Sequence, residues 1–274
     1  MFESRTEAAA LLLPATVFAA LVFLVPVAIL LSEAFHPGGS WSLSAFTGFF
    51  ALGLDRTVFF RTLRIASLVT VSAAVIGYVS AYAIVNLGPS GKGRMVGLIV
   101  LPLMISPVAR TYAWIVILGR TGIVNNALTA LGLTDQPIRI LFSETAVFIG
   151  LLQLLLPLMI ISLVSALENL PRDAIPAARV LGANGFQTFW KVVLPLTREG
   201  LAVGGTLVFA GSMTAYITPA VLGGSKVLML ETLLYQRVTV ANDIVSAGVI
   251  AFILIVMSFS ANLLMRRIAE AKGA

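Results

Sequence analysis

The sequence predicts an all-α polytopic membrane protein: six transmembrane helices, short interfacial helices and one polar two-helix loop. Three observations predict it. Across 274 residues the mean hydropathy is +1.01, with 59% hydrophobic and only 11% charged residues, against roughly 25% charged in soluble domains. Six apolar runs recur along the chain, each of a length that crosses ~30 Å of hydrocarbon. Between the fourth and fifth lies a polar island, 168–198, which carries Arg172, Arg179, Lys191 and Arg198. The composition also excludes other classes. Cysteine is absent, and His36, the single histidine, makes neither a histidine metal cluster nor a catalytic triad by itself. The net charge of +6 is dispersed over short loops, which suits membrane lipid headgroups and not nucleic acid.

The first predicted span, 8–31, carries no charge. Its apolar run exceeds a signal-peptide core of about 7–15 residues, so it reads as a retained helix with Pro14 or Pro26 as bend points. In the loop 33–64, HPGGS is a break. The following SAFTGFFALGLDRTVFF is expected to form short interfacial helices, with Trp41, Phe46, Phe49 and Phe50 near headgroup level. The second span, 65–85, holds Ala73, Gly77 and Ala81 at four-residue spacing, small residues that admit a neighbouring helix. Gly88-Pro-Ser-Gly-Lys-Gly93 lacks the spacing of a phosphate loop and a preceding strand, so it is a turn, and nucleotide hydrolysis belongs to another chain.

In the third span, 95–118, Pro102 and Pro107 interrupt the backbone ladder. Arg110 needs protein or a wet cavity around its charge, as a pathway residue or as one snorkelling to the interface. The loop 120–144 holds a short amphipathic helix, and the fourth span, 145–167, contains Gln153 and Pro157. The fifth span, 201–222, gathers Ser212, Met213, Thr214, Tyr216 and Thr218, side chains that suit a bundle interior or cavity better than lipid. Arg110, Tyr112, Gln153, Met213, Thr214 and Tyr216 are accordingly the translocation-path candidates, with interhelical packing as the competing role. MLETLLYQRV forms a short helix, and the sixth span, 244–264, precedes the tail RRIAEAKGA. Lys92 in a short loop and Arg266-Arg267 beside the last span place both termini in the cytoplasm.

The island reads as two short helices joined by a glycine turn. Asp173 caps the first, Pro176 lies in its opening turn where no backbone N–H is needed, and Gly182 takes the left-handed position that ends it. Asn184 and Gln187 form a variant capping box for the second helix, on whose surface Phe186, Phe189 and Trp190 fall together. Ala177-Ala178, Gly182 after three residues, and Val192-Val193-Leu194-Pro195 after nine more resemble the EAA loop of ABC importer permeases, E-A-A, three residues, G, nine residues, I-x-L-P. Pro176 replaces the glutamate of that pattern and Val192 its isoleucine. Leu101-Pro102, Arg110-Thr-Tyr-Ala-Trp114, Gly122-Ile-Val-Asn125 and Pro219-Ala-Val-Leu-Gly-Gly224 are similar to the spermidine/putrescine permease branch.

The resemblance implies a bacterial inner-membrane permease subunit that works with a second, similar permease, two ATPase subunits and an extracytoplasmic solute-binding protein. It also implies no catalytic residue or cofactor on this chain, with ATP and Mg bound by the partner ATPase. Asp173, Pro176, Ala177, Ala178, Gly182, Leu194 and Pro195 would form the ATPase-coupling site, and a polyamine would be the cargo. The alternative is an ATP-independent secondary transporter or channel. Such a protein is expected to carry intramembrane acids or an inverted repeat, and the span interiors lack acids. A membrane enzyme would need a His, Asp or Glu cluster at a membrane face.

Overall fold

Every regular element among the residues that the computed structural model describes, 13–270, is helical. They divide into two units: the described residues up to Thr57 with Leu233–Ile255, and Val58–Thr232 with the described residues from Val256.

In the first unit, α1 (Leu13–Phe35) widens to a π-turn at Ala20–Leu24, directly ahead of Pro26. The proline offers no N–H to the ladder and its ring crowds the preceding turn. The predicted span 8–31 thus begins outside the described residues and ends later than expected. Gly38 and Gly39, at φ 76° and 87°, turn the chain into α2 (Ser44–Ala51). The aromatic group expected at headgroup level is split. Trp41 and Phe50 stay exposed, but Phe49 is buried and Phe46 packs on Phe35 and Phe252 at 5.0 and 5.4 Å between ring centroids. Asp55, 2% exposed, accepts both hydrogen bonds of Arg237 Nη2 at 3.1 and 3.2 Å. Arg237 also faces Asp243 at 3.6 Å.

In the second unit, α3 (Gly53–Val85) absorbs much of the segment expected to lie at the interface. Once the extended Leu52 has broken the chain, nothing interrupts a helix until Val85, and Asp55 in its first turn favours the start. The third span is not a single helix. α4 (Pro89–Met104) and the stretch Pro107–Ala130, comprising α5 (Pro107–Leu118) and α6 (Ile123–Ala130), are bent by 95°. Ile105 and Ser106 are extended between them, as the residue before Pro107 must be.

α7 (Glu144–Glu168) matches the predicted fourth span and is capped by Ser143, which accepts from the Ala146 N–H at 3.3 Å. The island follows as α8 (Ala174–Val180) and α9 (Gly185–Leu196), then α10 (Arg198–Thr214), bent 69° from α9. α7 and α10 lie antiparallel along a glycine seam. A Cβ on Gly200, Gly204 or Gly211 would fall 2.3 Å from Ala166, 2.7 Å from Met159 and 2.8 Å from Leu155 respectively. Ser162 Oγ donates to the Gly200 carbonyl at 2.7 Å and joins the backbones. The small-residue stripe of α3 meets the same core: Ala73 and Ala81 are fully buried, and a Cβ on Gly77 would lie 2.8 Å from Met159.

The fifth span is also broken. α10 stops at Thr214, Ala215 is extended, and the chain resumes in a π-turn at Pro219–Gly223. Pro219 lacks the N–H that would have bonded the Ala215 carbonyl. α11 (Leu230–Thr239) fulfils the expected short helix, and α12 (Ile244–Glu270) runs past its predicted end at 264. Among the described residues four helices, α1, α3, α7 and α12, are long and apolar enough to cross a membrane, or up to six spans if each bent pair counts as one.

Candidate functional site: the polar loop and the bundle interior

The turn between α8 and α9 is closed by hydrogen bonds from the N–H groups of Gly182 and Ala183 to the carbonyls of Arg179 and Ala178, at 3.0 Å each. Gly182 has φ 83°, so the two reverse bonds form a Schellman stop with glycine in the left-handed place. The capping box is complete: Gln187 N–H donates to Asn184 Oδ1 at 2.9 Å and Asn184 N–H donates to Gln187 Oε1 at 3.1 Å. Asp173 occupies the cap position of α8 but makes no side-chain cap bond. That expectation fails because its backbone already has helical angles (φ −88°, ψ −10°), whereas a capping side chain needs an extended residue.

The loop thus holds a fixed shape, and its surface is unlike that of an ordinary polar connection. Val180 and Leu181 at the tip are 88% and 87% exposed, and Phe186 and Trp190 are 73% and 53% exposed with their rings 6.0 Å apart. Pro176, Ala177 and Asp173 are exposed beside them, and Arg179 and Lys191 add positive charge. Ala178 is buried, while Ile175, Leu194 and Phe189 turn inward onto the core. Phe189 thus leaves the surface cluster that its spacing suggested and stacks edge-on against Tyr78 at 5.5 Å. Pro195 is exposed at the return to α10. Lys92 of α4 pairs with Glu168 at the last turn of α7, next to the loop.

The path candidates separate. Arg110 Nη1 donates to the Pro102 carbonyl at 2.8 Å, so its charge sits on the last turn of α4, where the helix dipole is negative. The break in the third span is what gives it this partner. Gln153 accepts from Trp114 Nε1 at 3.3 Å, and Met213 is wholly buried. Tyr112, 58% exposed, and Thr214 face outward from the chain, and Tyr216 is half-buried beside the break in the fifth span. At the same sequence positions as the predicted outer loops, Arg61 and Arg64 both pair with Glu144, Arg61 Nε at 2.9 Å. Arg120 and Arg139 line a cavity of about 310 Å³ with Phe142. Tyr78, Thr197 and Glu144 were not singled out by sequence. The available signal was a hydroxyl or a charge at the end of an otherwise apolar run.

Two carboxyl groups near α11 are perturbed in opposite directions. Burial raises Glu231 above its ordinary value. Burial also acts upward on Asp243, but hydrogen bonds from Ser246 and the charge of Arg237 outweigh it and hold the group below the usual carboxylate range.

The second unit is thus a set of broken helices with a rigid, apolar-tipped loop between two seam-packed spans. The chain belongs to the binding-protein-dependent transport system inner membrane component family, whose model matches residues 8–272. It is 37% identical over 220 residues to the spermidine/putrescine transport system permease protein PotB of Haemophilus influenzae, covering 78% of this chain and 77% of that one. To the Escherichia coli PotB it is 34% identical over 173 residues, 63% of each chain. It is 32% identical to the chloroplastic sulfate permease 2 of Chlamydomonas reinhardtii over 63% of this chain and 45% of that one. Among solved structures it resembles a bacterial alginate ABC transporter in complex with an alginate pentasaccharide-bound periplasmic protein (TM-score 0.77, 20% identity, 96% and 94% of the two chains). The protein is a permease component of a binding-protein-dependent ABC importer, a transport subunit.

Proposed function

We propose that this permease imports a polyamine-like organic cation, driven by ATP bound with Mg on partner subunits that grip the α8–α9 loop. The observation that carries the reading is the loop tip. Val180, Leu181, Phe186 and Trp190 form an exposed apolar surface on a rigid two-helix scaffold, and such a patch is expensive to leave in water. Pro176 in place of the family glutamate makes the docking contact apolar rather than ionic at that position. Closure of the ATPases moves the loop, and the loop moves the α7–α10 pair that it joins. The permease then changes the side to which its path opens, because ATP and cargo favour different states.

The PotB relatives support the cargo. Arginines near the spans, which would repel a cation, are partly offset: Glu144 pairs with Arg61 and Arg64, and the Pro102 carbonyl holds Arg110. Both termini and the loop lie in the cytoplasm, supported by Lys92 and Arg266-Arg267. The remaining partners are a second similar permease and a solute-binding protein on the opposite face. Purification from native membranes is expected to bring down an ATPase and a sister permease, and the reconstituted set with its binding protein to take up labelled spermidine or putrescine only with ATP. Uptake by the isolated chain without ATP would favour a secondary transporter and refute the reading.

A further inference from the structure

The bend between α9 and α10 falls at Thr197, which is wholly buried and sits between two helices inclined by 69°. Thr197 Oγ1 donates to the Val193 carbonyl at 2.8 Å. A hydroxyl has one proton, so at the 2.6 Å contact between Tyr78 and Thr197 it is the Tyr78 hydroxyl that donates. Tyr78 belongs to α3, and its ring also meets Phe189 of α9 edge-on at 5.5 Å. One side chain of the second span therefore holds both the inner face of the loop's second helix and the residue at which that helix turns into the fifth span. Among the described residues its hydroxyl makes this one hydrogen bond, and both residues are buried, where an unmade hydrogen bond is costly.

We propose that Tyr78 is a positioning residue for energy coupling. It bolts the Thr197 bend to α3, so that displacement of the loop is passed to the membrane helices instead of being absorbed as a change in the α9–α10 angle. This rests on the ATP-driven reading above. The bolt works by stiffness: without it the loop still docks and ATP is still split, but part of the stroke is lost at the bend.

The test is the ratio of solute transported to ATP hydrolysed by the reconstituted complex. Tyr78→Phe, which keeps the ring against Phe189 and removes only the donor, is expected to lower that ratio about fivefold or more, the low end of ordinary coupling free energies. Thr197→Val attacks the same bond from the other side and is expected to match it, Thr197→Ser to restore the wild-type ratio, and the double change to Phe and Val to be no worse than either alone. A merely structural role would lower the amount of assembled complex, leave the ratio unchanged and give additive losses. An unchanged ratio, or additive losses in the double variant, in an active wild-type background overturns the bolt. A wild-type complex without ATP-driven uptake overturns the importer reading and the bolt with it.

Discussion

Gly182 carries the loop's shape at the scale of one residue. At φ 83° with open space around its missing Cβ, it is held there by backbone conformation and not by crowding. A β-branched side chain in that region costs about 1–2 kcal/mol. Gly182→Val is therefore expected to insert normally and assemble at wild-type levels while losing most ATP-driven uptake; full uptake in vesicles would contradict it. Two carboxyl groups titrate with opposite signs. Asp243 lies below its ordinary value, so it contributes stability above the normal carboxylate range, lost as pH falls through its depressed value. Glu231 lies above its ordinary value, so its charge costs stability once pH exceeds the unfolded value. In thermal melts at neutral pH, Asp243→Asn is expected to lower the midpoint and Glu231→Gln to raise it. The Glu231 difference should fade as pH falls to the ordinary carboxylate range, about pH 4, and the Asp243 difference only at lower pH, as pH falls through that group's depressed value.

Among elements, the α7–α10 pair is the body that the loop would move, and the seam at Gly200, Gly204 and Gly211 makes it one piece. Gly204→Leu places a branched side chain where even a Cβ meets Met159 Sδ at 2.7 Å. Overpacking of this kind costs about 1–3 kcal/mol, and the expected outcome is lower detergent stability, read by the melting midpoint. The elements also show what could be read from sequence. The fourth span was legible to within a residue at each end because an unbroken apolar run is bounded by Ser143 and Asn169. The loop was legible because its stops are local chemistry: a positive-φ glycine and a reciprocal cap. The third and fifth spans are both broken, and Pro107 and Pro219 mark the breaks; the prolines of the third announce its interruption, whereas the fifth is expected as one span. A proline within an apolar run is compatible with a kink or a full break, and tertiary partners decide which. Arg110 illustrates it: its bond to Pro102 exists only across the bend. Within the loop, Gly182, Asn184 and Gln187 behave as local rules predict. The inward turn of Phe189 depended on Tyr78, more than a hundred positions earlier in the chain, and no spacing encodes that.

For the whole molecule, the central claim is that the α8–α9 loop is the face on which the ATPase docks. The chain has no cysteine, so a single introduced thiol can be labelled without background. Leu181, 87% exposed at the tip, is the place for it. In sealed vesicles of known sidedness, a membrane-impermeant maleimide is expected to label Leu181→Cys from the cytoplasmic face alone; labelling from the other face would reverse the orientation. The most direct measurement goes one step further. With a thiol-tethered photo-cross-linker on Leu181→Cys in the native membrane, the account predicts an adduct with the ATPase subunit whose yield changes between ATP-bound and nucleotide-free states. Absence of any ATPase adduct from a complex that still carries out ATP-driven uptake would contradict it.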